Sequence, residues 1–110
     1  MLGQDRAVVR ELGGAAFSAS ILPRIADAVG GETTLLVDGG IRSGQDLVKA
    51  LALGAKAALI GRPWVMALAS GGEAALTQLL GLYKQDMRTA LGLTGAVTAR
   101  DVDHGVLLER

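Results

Sequence analysis

The residue types best suited to chemistry lie in two clusters, Asp38-Gly39-Gly40-Ile41-Arg42 and Gly61-Arg62-Pro63. Each follows a short apolar run, Leu35-Leu36-Val37 in one case and Ala57-Ala58-Leu59-Ile60 in the other. Glycine lets backbone N–H groups approach an anion closely. Arginine offers a planar fork of donors that matches two oxygens of a phosphate. Ser43 and Pro63 each suit the start of a helix, whose first turn adds unpaired N–H groups and partial positive charge. A single Gly-Gly pair would read as a turn, and a single arginine as a solvated side chain. Two clusters of the same make, one strand–helix–strand unit apart, instead predict a shared phosphate site. Asp38 is the exception, because a carboxylate repels phosphate. Its expected partner is a hydroxyl or a backbone amide, with capping of the turn as the plainer alternative.

The elements that must position these clusters can be read from periodicity. Leu35–Val37 is unalternated and branched, which suits a strand buried on both faces, as in a parallel sheet. Ser43 to Asp46 fits a helix-capping pattern. Leu47, Val48, Leu51 and Leu53 then supply a buried face, and Gly54 a stop. Ala57–Ile60 is the second strand, so residues 35–60 have about the length of a βαβ crossover. Upstream, residues 18–29 read as a helix with Ile21, Leu22, Ile25, Ala28 and Val29 on one stripe, provided Pro23 falls in its first turn. Downstream, Pro63 opens a short helix to Ala69, and Ser70-Gly71-Gly72 breaks it. A longer helix follows from Glu73 to Leu91, with Leu76, Leu79, Leu80, Tyr83, Met87 and Leu91 on one face. Thr98 to Asp101 is a second capping pattern, with a short helix from Ala99. Residues 1–17 carry little signal. Alternation of strand and helix predicts an α/β fold, with the ligand side at the carboxyl ends of the strands.

Composition narrows the class. The 110 residues suffice for one small domain. Half are hydrophobic and 20% charged, which excludes a disordered segment. Formal net charge is zero, so neither nucleic acid nor an acidic membrane surface is an expected partner. Without cysteine there is no disulfide framework and no thiolate metal site. Apolar runs fall short of the roughly 20 residues of a membrane span, and the first residues lack the layout of a signal peptide. A soluble, cytoplasmic protein is the expectation, with no metal. His104, the one histidine, reads as a solvent-facing residue of the tail. Asp101 and Asp103 read as helix-start residues, and Trp64, Tyr83 and Met87 as core.

The stretch VDGGIRSGQDLVKALALGAKAALIGRPW resembles the C-terminal signature of the FMN-dependent α-hydroxy-acid dehydrogenases and oxidases, the family of flavin lactate dehydrogenase and glycolate oxidase. The likeness extends over SASILPRIADAVGGETTLLVDGG before it and GGEAALTQLLGLYKQDMRTALGLTGAVTARDVD after it. It implies the C-terminal portion of a TIM (β/α)8 barrel, with Leu35–Val37 and Ala57–Ile60 as its last two strands. It implies that Asp38, Gly39, Gly40, Arg42, Gly61 and Arg62 hold the phosphate and ribityl groups of FMN. Such a barrel needs about 250 residues, so the chain is expected to be an incomplete barrel. The family also carries a His-Gly-Gly-Arg-Gln-Leu-Asp-Gly motif. Ala7-Val8-Val9-Arg10-Glu11-Leu12-Gly13-Gly14 stands in its place, with Arg10 matching the arginine that binds the substrate carboxylate. Ala7 stands where the catalytic histidine would be, and alanine cannot accept a proton.

The sequence therefore predicts one partial-barrel unit over residues 1–110, with 1–17 poorly matched. Its expected role is the FMN-binding C-terminal part of an oxidoreductase that converts L-2-hydroxy acids such as lactate to 2-oxo acids, inactive by itself. The alternatives are a non-catalytic phosphate or flavin module, a partial-barrel subunit that pairs with another chain or with itself, and a truncated gene remnant.

Overall fold

The computed structural model describes residues 18–107. The order of elements is α1 (Ser18–Val29), β1 (Leu36–Asp38), α2 (Gly44–Ala52), β2 (Ala57–Leu59) and α3 (Arg62–Thr94). Two 3-10 turns follow, Ala99–Asp101 and His104–Val106. The strands form a two-stranded parallel sheet in which Leu36, Val37 and Asp38 pair with Ala57, Ala58 and Leu59. The α/β expectation holds, and the strand boundaries move by one residue.

α2 starts as its sequence directs. Ser43 is the N-cap, and its side chain accepts a hydrogen bond from the Asp46 amide at 3.1 Å. Such a cap satisfies one of the donors that a helix start leaves open. The second capping pattern is also realised. The Asp101 carboxylate accepts from the Thr98 amide at 2.9 Å and from its hydroxyl at 3.0 Å.

One face of the sheet is covered. Leu22 of α1, Val37, Ile41, Ala50 of α2 and Ala55 form the buried cluster, flanked by Leu35, Leu47, Leu53, Ala58 and Ile60. Leu22 is the best enclosed at 1% exposure. Gly54 permits the close approach of α1, since it has φ +113° and a Cβ there would stand 2.5 Å from the Ala26 Cβ. The other face is open, with Leu36 and Leu59 each 40% exposed. The expectation of burial on both faces is thus corrected. The run is apolar on both sides, but the described residues supply helices to only one.

Two further expectations are corrected, and the predicted break at Ser70-Gly71-Gly72 is met. Pro23 lies inside α1 beyond the first turn, where its missing N–H removes a helical hydrogen bond. Trp64 is 42% exposed and so is not core, whereas Tyr83 is buried. The two helices predicted after Gly61 run on as α3, but Gly71 and Gly72 leave helical geometry, with φ/ψ of −155/15° and 66/−151°. The predicted break is therefore present as a kink. By length and composition α3 is apolar enough to cross a membrane, unlike any run foreseen in the sequence. Its second half nevertheless packs on α2, with Tyr83 buried between them.

Candidate functional site

Parallel pairing puts the ends of β1 and β2 side by side. Asp38 and Leu59 are register partners, so Gly39-Gly40 and Ile60-Gly61 leave the sheet from neighbouring strands at the same end. Strands in a sheet lie about 4.8 Å apart, which makes the two loops adjacent. Each opens a helix: α2 begins at Gly44 and α3 at Arg62, with Gly61 as its N-cap. The helix starts and their partial positive charge thus gather at this end.

Gly39 and Gly40 both have left-handed backbones, φ 101° and 79°. Side chains are rarely tolerated there, so this turn requires glycine twice. Asp38 is half-buried. Strand alternation places it with Leu36 and Leu59 on the open face of the sheet. Its carboxylate accepts no hydrogen bond from a described residue. Arg42 and Arg62 are exposed, and neither guanidinium has an ion-pair partner among the described residues.

The structure brings the two backbones together more closely than it ties the two arginine side chains. Arg42 borders a groove between the Arg42-Ser43 turn and α3 with Leu79, Tyr83 and Asp86, and Arg62 is not among its lining residues. Arg10 and Ala7 lie outside the described residues. His104 is exposed, as expected. It borders a groove of about 850 Å³ at the opposite end of the sheet, with Leu47, Leu51, Lys56, Met87 and Arg100. That larger groove contains none of the predicted site residues. Asp103 acts as a cap, accepting from the Gly105 amide at 2.8 Å.

Sequence reasoning did not foresee how the first loop is held. The Asp46 carboxylate reaches back to the Arg42 amide at 3.1 Å. Tyr83 directs its hydroxyl to the Ile41 carbonyl, a long contact of 3.4 Å. Burial, and then the Asp46 carboxylate, push the Tyr83 hydroxyl above its usual pKa. The capping pattern pointed to Asp46, but no local signal linked Tyr83 to a residue 42 positions away.

A family model described as FMN-dependent dehydrogenase matches residues 8–109. The chain belongs to that family. Among its relatives, an L-lactate dehydrogenase of Caulobacter vibrioides is 49% identical over 114 residues. That match covers 99% of this chain and 30% of the relative. An L-lactate dehydrogenase of Pectobacterium atrosepticum is 47% identical, with 91% of this chain and 26% of the relative covered. The chain thus spans under a third of the length of these curated relatives. Among solved structures, a mandelate oxidase variant with 4-Br-2-hydroxy-methylphenylacetate superposes with a TM-score of 0.74 at 46% identity. It is matched over 82% of this chain and 28% of its own length. A mandelate oxidase variant with a monooxide FMN adduct gives 0.70, also at 46% identity. The two strands and their helices are therefore part of a TIM-barrel flavoenzyme fold, and FMN is the cofactor of the family.

Proposed function

We propose that residues 1–110 form one partial-barrel unit that holds the phosphate and ribityl end of FMN in an oxidoreductase acting on L-2-hydroxy acids such as lactate. The observation that carries this reading is the adjacency of the two glycine loops at the carboxyl ends of paired strands, each opening a helix. Backbone amides of Gly39, Gly40 and Gly61 and the side chains of Arg42 and Arg62 are the donors to phosphate. Asp38 accepts from a ribityl hydroxyl, consistent with a carboxylate on the open face that has no hydrogen-bond donor among the described residues. FMN, when bound, supplies the electron sink for a hydride equivalent from the hydroxy acid. Arg10 is assigned to the substrate carboxylate in a complete enzyme.

Magnitudes limit what the chain does alone. Charge-assisted hydrogen bonds contribute roughly 1.5–3 kcal/mol each, and three or four give on the order of 5–10. Association costs an estimated 4–15 kcal/mol. FMN binding through the phosphate end is therefore micromolar at best. Ala7, which stands where the family has its histidine, cannot serve as the base for the reaction. Purified chain mixed with FMN and L-lactate, glycolate or mandelate is expected to leave the flavin oxidised; bleaching of the flavin absorbance would overturn this. Titration with FMN and with riboflavin, which lacks the phosphate, tests the binding role. Tighter binding of FMN supports it, and equal binding contradicts it.

A second reading, a non-catalytic partner that completes a barrel with another chain or copy, is favoured by the exposed sheet face carrying Leu36 and Leu59.

A further inference from the structure

The Ile41–Arg42 peptide group is held at both ends by side chains from two different helices. Its carbonyl oxygen, that of Ile41, faces the Tyr83 hydroxyl of α3 at a long 3.4 Å. Its N–H, that of Arg42, donates to the Asp46 carboxylate of α2 at 3.1 Å. The Ile41 side chain is meanwhile buried in the core. Tyr83 is itself fixed, being 7% exposed. At Gly44 a Cβ would collide with the Tyr83 carbonyl oxygen and lie 2.6 Å from both the Asp86 Cβ and the Met87 nitrogen. The backbones of α2 and α3 therefore touch just where the loop enters α2.

From this geometry we infer that Tyr83 and Asp46 are positioning residues of the anion loop, acting through the Ile41–Arg42 peptide and not by contact with the ligand. The inference rests on the phosphate reading above. It also assigns the donors. The Arg42 amide is already engaged, so this residue reaches an anion by its side chain, and the loop amides left for that purpose are those of Gly39 and Gly40. The peptide plane sets both the direction of the Arg42 side chain and the exit of the double-glycine turn. A carboxylate this close to a phosphate site carries an electrostatic penalty. Its retention of the Arg42 amide gives it an opposing, geometric role, and the two roles predict opposite effects of removing it.

The test uses the 110-residue chain and the variants Asp46→Ala, Asp46→Asn and Tyr83→Phe. Amide exchange at Arg42 is followed by NMR without ligand, and affinity is measured for FMN against riboflavin. Asp46→Ala is expected to speed Arg42 exchange by about tenfold, the loss of one charged hydrogen bond, while the strand amides of β1 are unchanged. It should also narrow the preference for FMN over riboflavin several-fold. Asp46→Asn keeps an acceptor and should restore both. Tyr83→Phe should weaken the FMN preference about twofold to threefold and leave riboflavin binding alone. If Asp46→Ala and Asp46→Asn both tighten FMN binding, charge alone operates and the positioning role is overturned. Arg42 exchange that ignores all three substitutions overturns it independently. An unsubstituted chain that does not distinguish FMN from riboflavin refutes the phosphate reading, whereas the exchange data still decide whether the clamp exists.

Discussion

At the scale of single residues, the site is a matter of which donors are spent and which are available. Gly39 and Gly40 sit at positive φ, so their amides are presented by a backbone that other residues rarely adopt. Arg42→Ala or Arg62→Ala each removes one forked donor without touching the core. Each is expected to weaken FMN binding by about tenfold or more, on the scale of one charged hydrogen bond, with riboflavin binding unchanged in the same fluorescence titration. Tyr83 gives a pH prediction. Its pKa is raised above 10.0 by burial and by Asp46, so the folded state holds the proton more tightly than the unfolded chain. The associated stability is complete below pH 10 and falls as pH rises toward the higher folded value. Thermal melts from pH 9 to 11 should show this decline, and Tyr83→Phe should flatten it. The glycine and arginine clusters were legible because their chemistry lies in local spacing. The Tyr83 contact was not, because a residue on the buried stripe of a helix looks like core until the fold shows what its hydroxyl meets.

At the scale of elements, close approach decides what can be changed. Gly44 opens α2 in direct contact with the α3 backbone. Gly44→Ala is expected to destabilise the fold by about 1–3 kcal/mol, the usual cost of overpacking, measured as a lower urea midpoint. Leu22→Ala in α1 should cost about 2–5 kcal/mol, because its site is enclosed by β1 and α2. The helices and strands were largely readable, since periodicity, the Ser43 and Thr98 caps and the Gly71-Gly72 break are local signals. Pro23 inside α1 was misread because a position within a helix depends on where the helix begins, and that end is the least marked in the sequence.

At the scale of the molecule, the described residues cover the sheet on one face only. The apolar run Leu35-Leu36-Val37 suggested burial on both faces, but the described residues cover only one, in a chain that spans under a third of its barrel-forming relatives. Sequence pattern records what a strand was suited to pack against, not whether this chain provides it. An exposed apolar face with unpaired strand edges favours association. Sedimentation of the isolated chain should show concentration-dependent assembly, and Leu36→Lys with Leu59→Glu should shift it toward monomer without changing the helical circular dichroism. Persistence of the same assembly in that double variant would move the interface elsewhere, for example to the exposed Trp64, Val65 and Met66 of α3.

The central claim is that the tips of β1 and β2 bind one anion between them. An NMR titration of the chain with FMN, read amide by amide, tests it most directly. The account predicts that Gly39, Gly40, Gly61 and Arg62 shift together with a single binding constant, and that inorganic phosphate reverses the shifts. Movement confined to one loop, or to the distant groove beside His104, would contradict it.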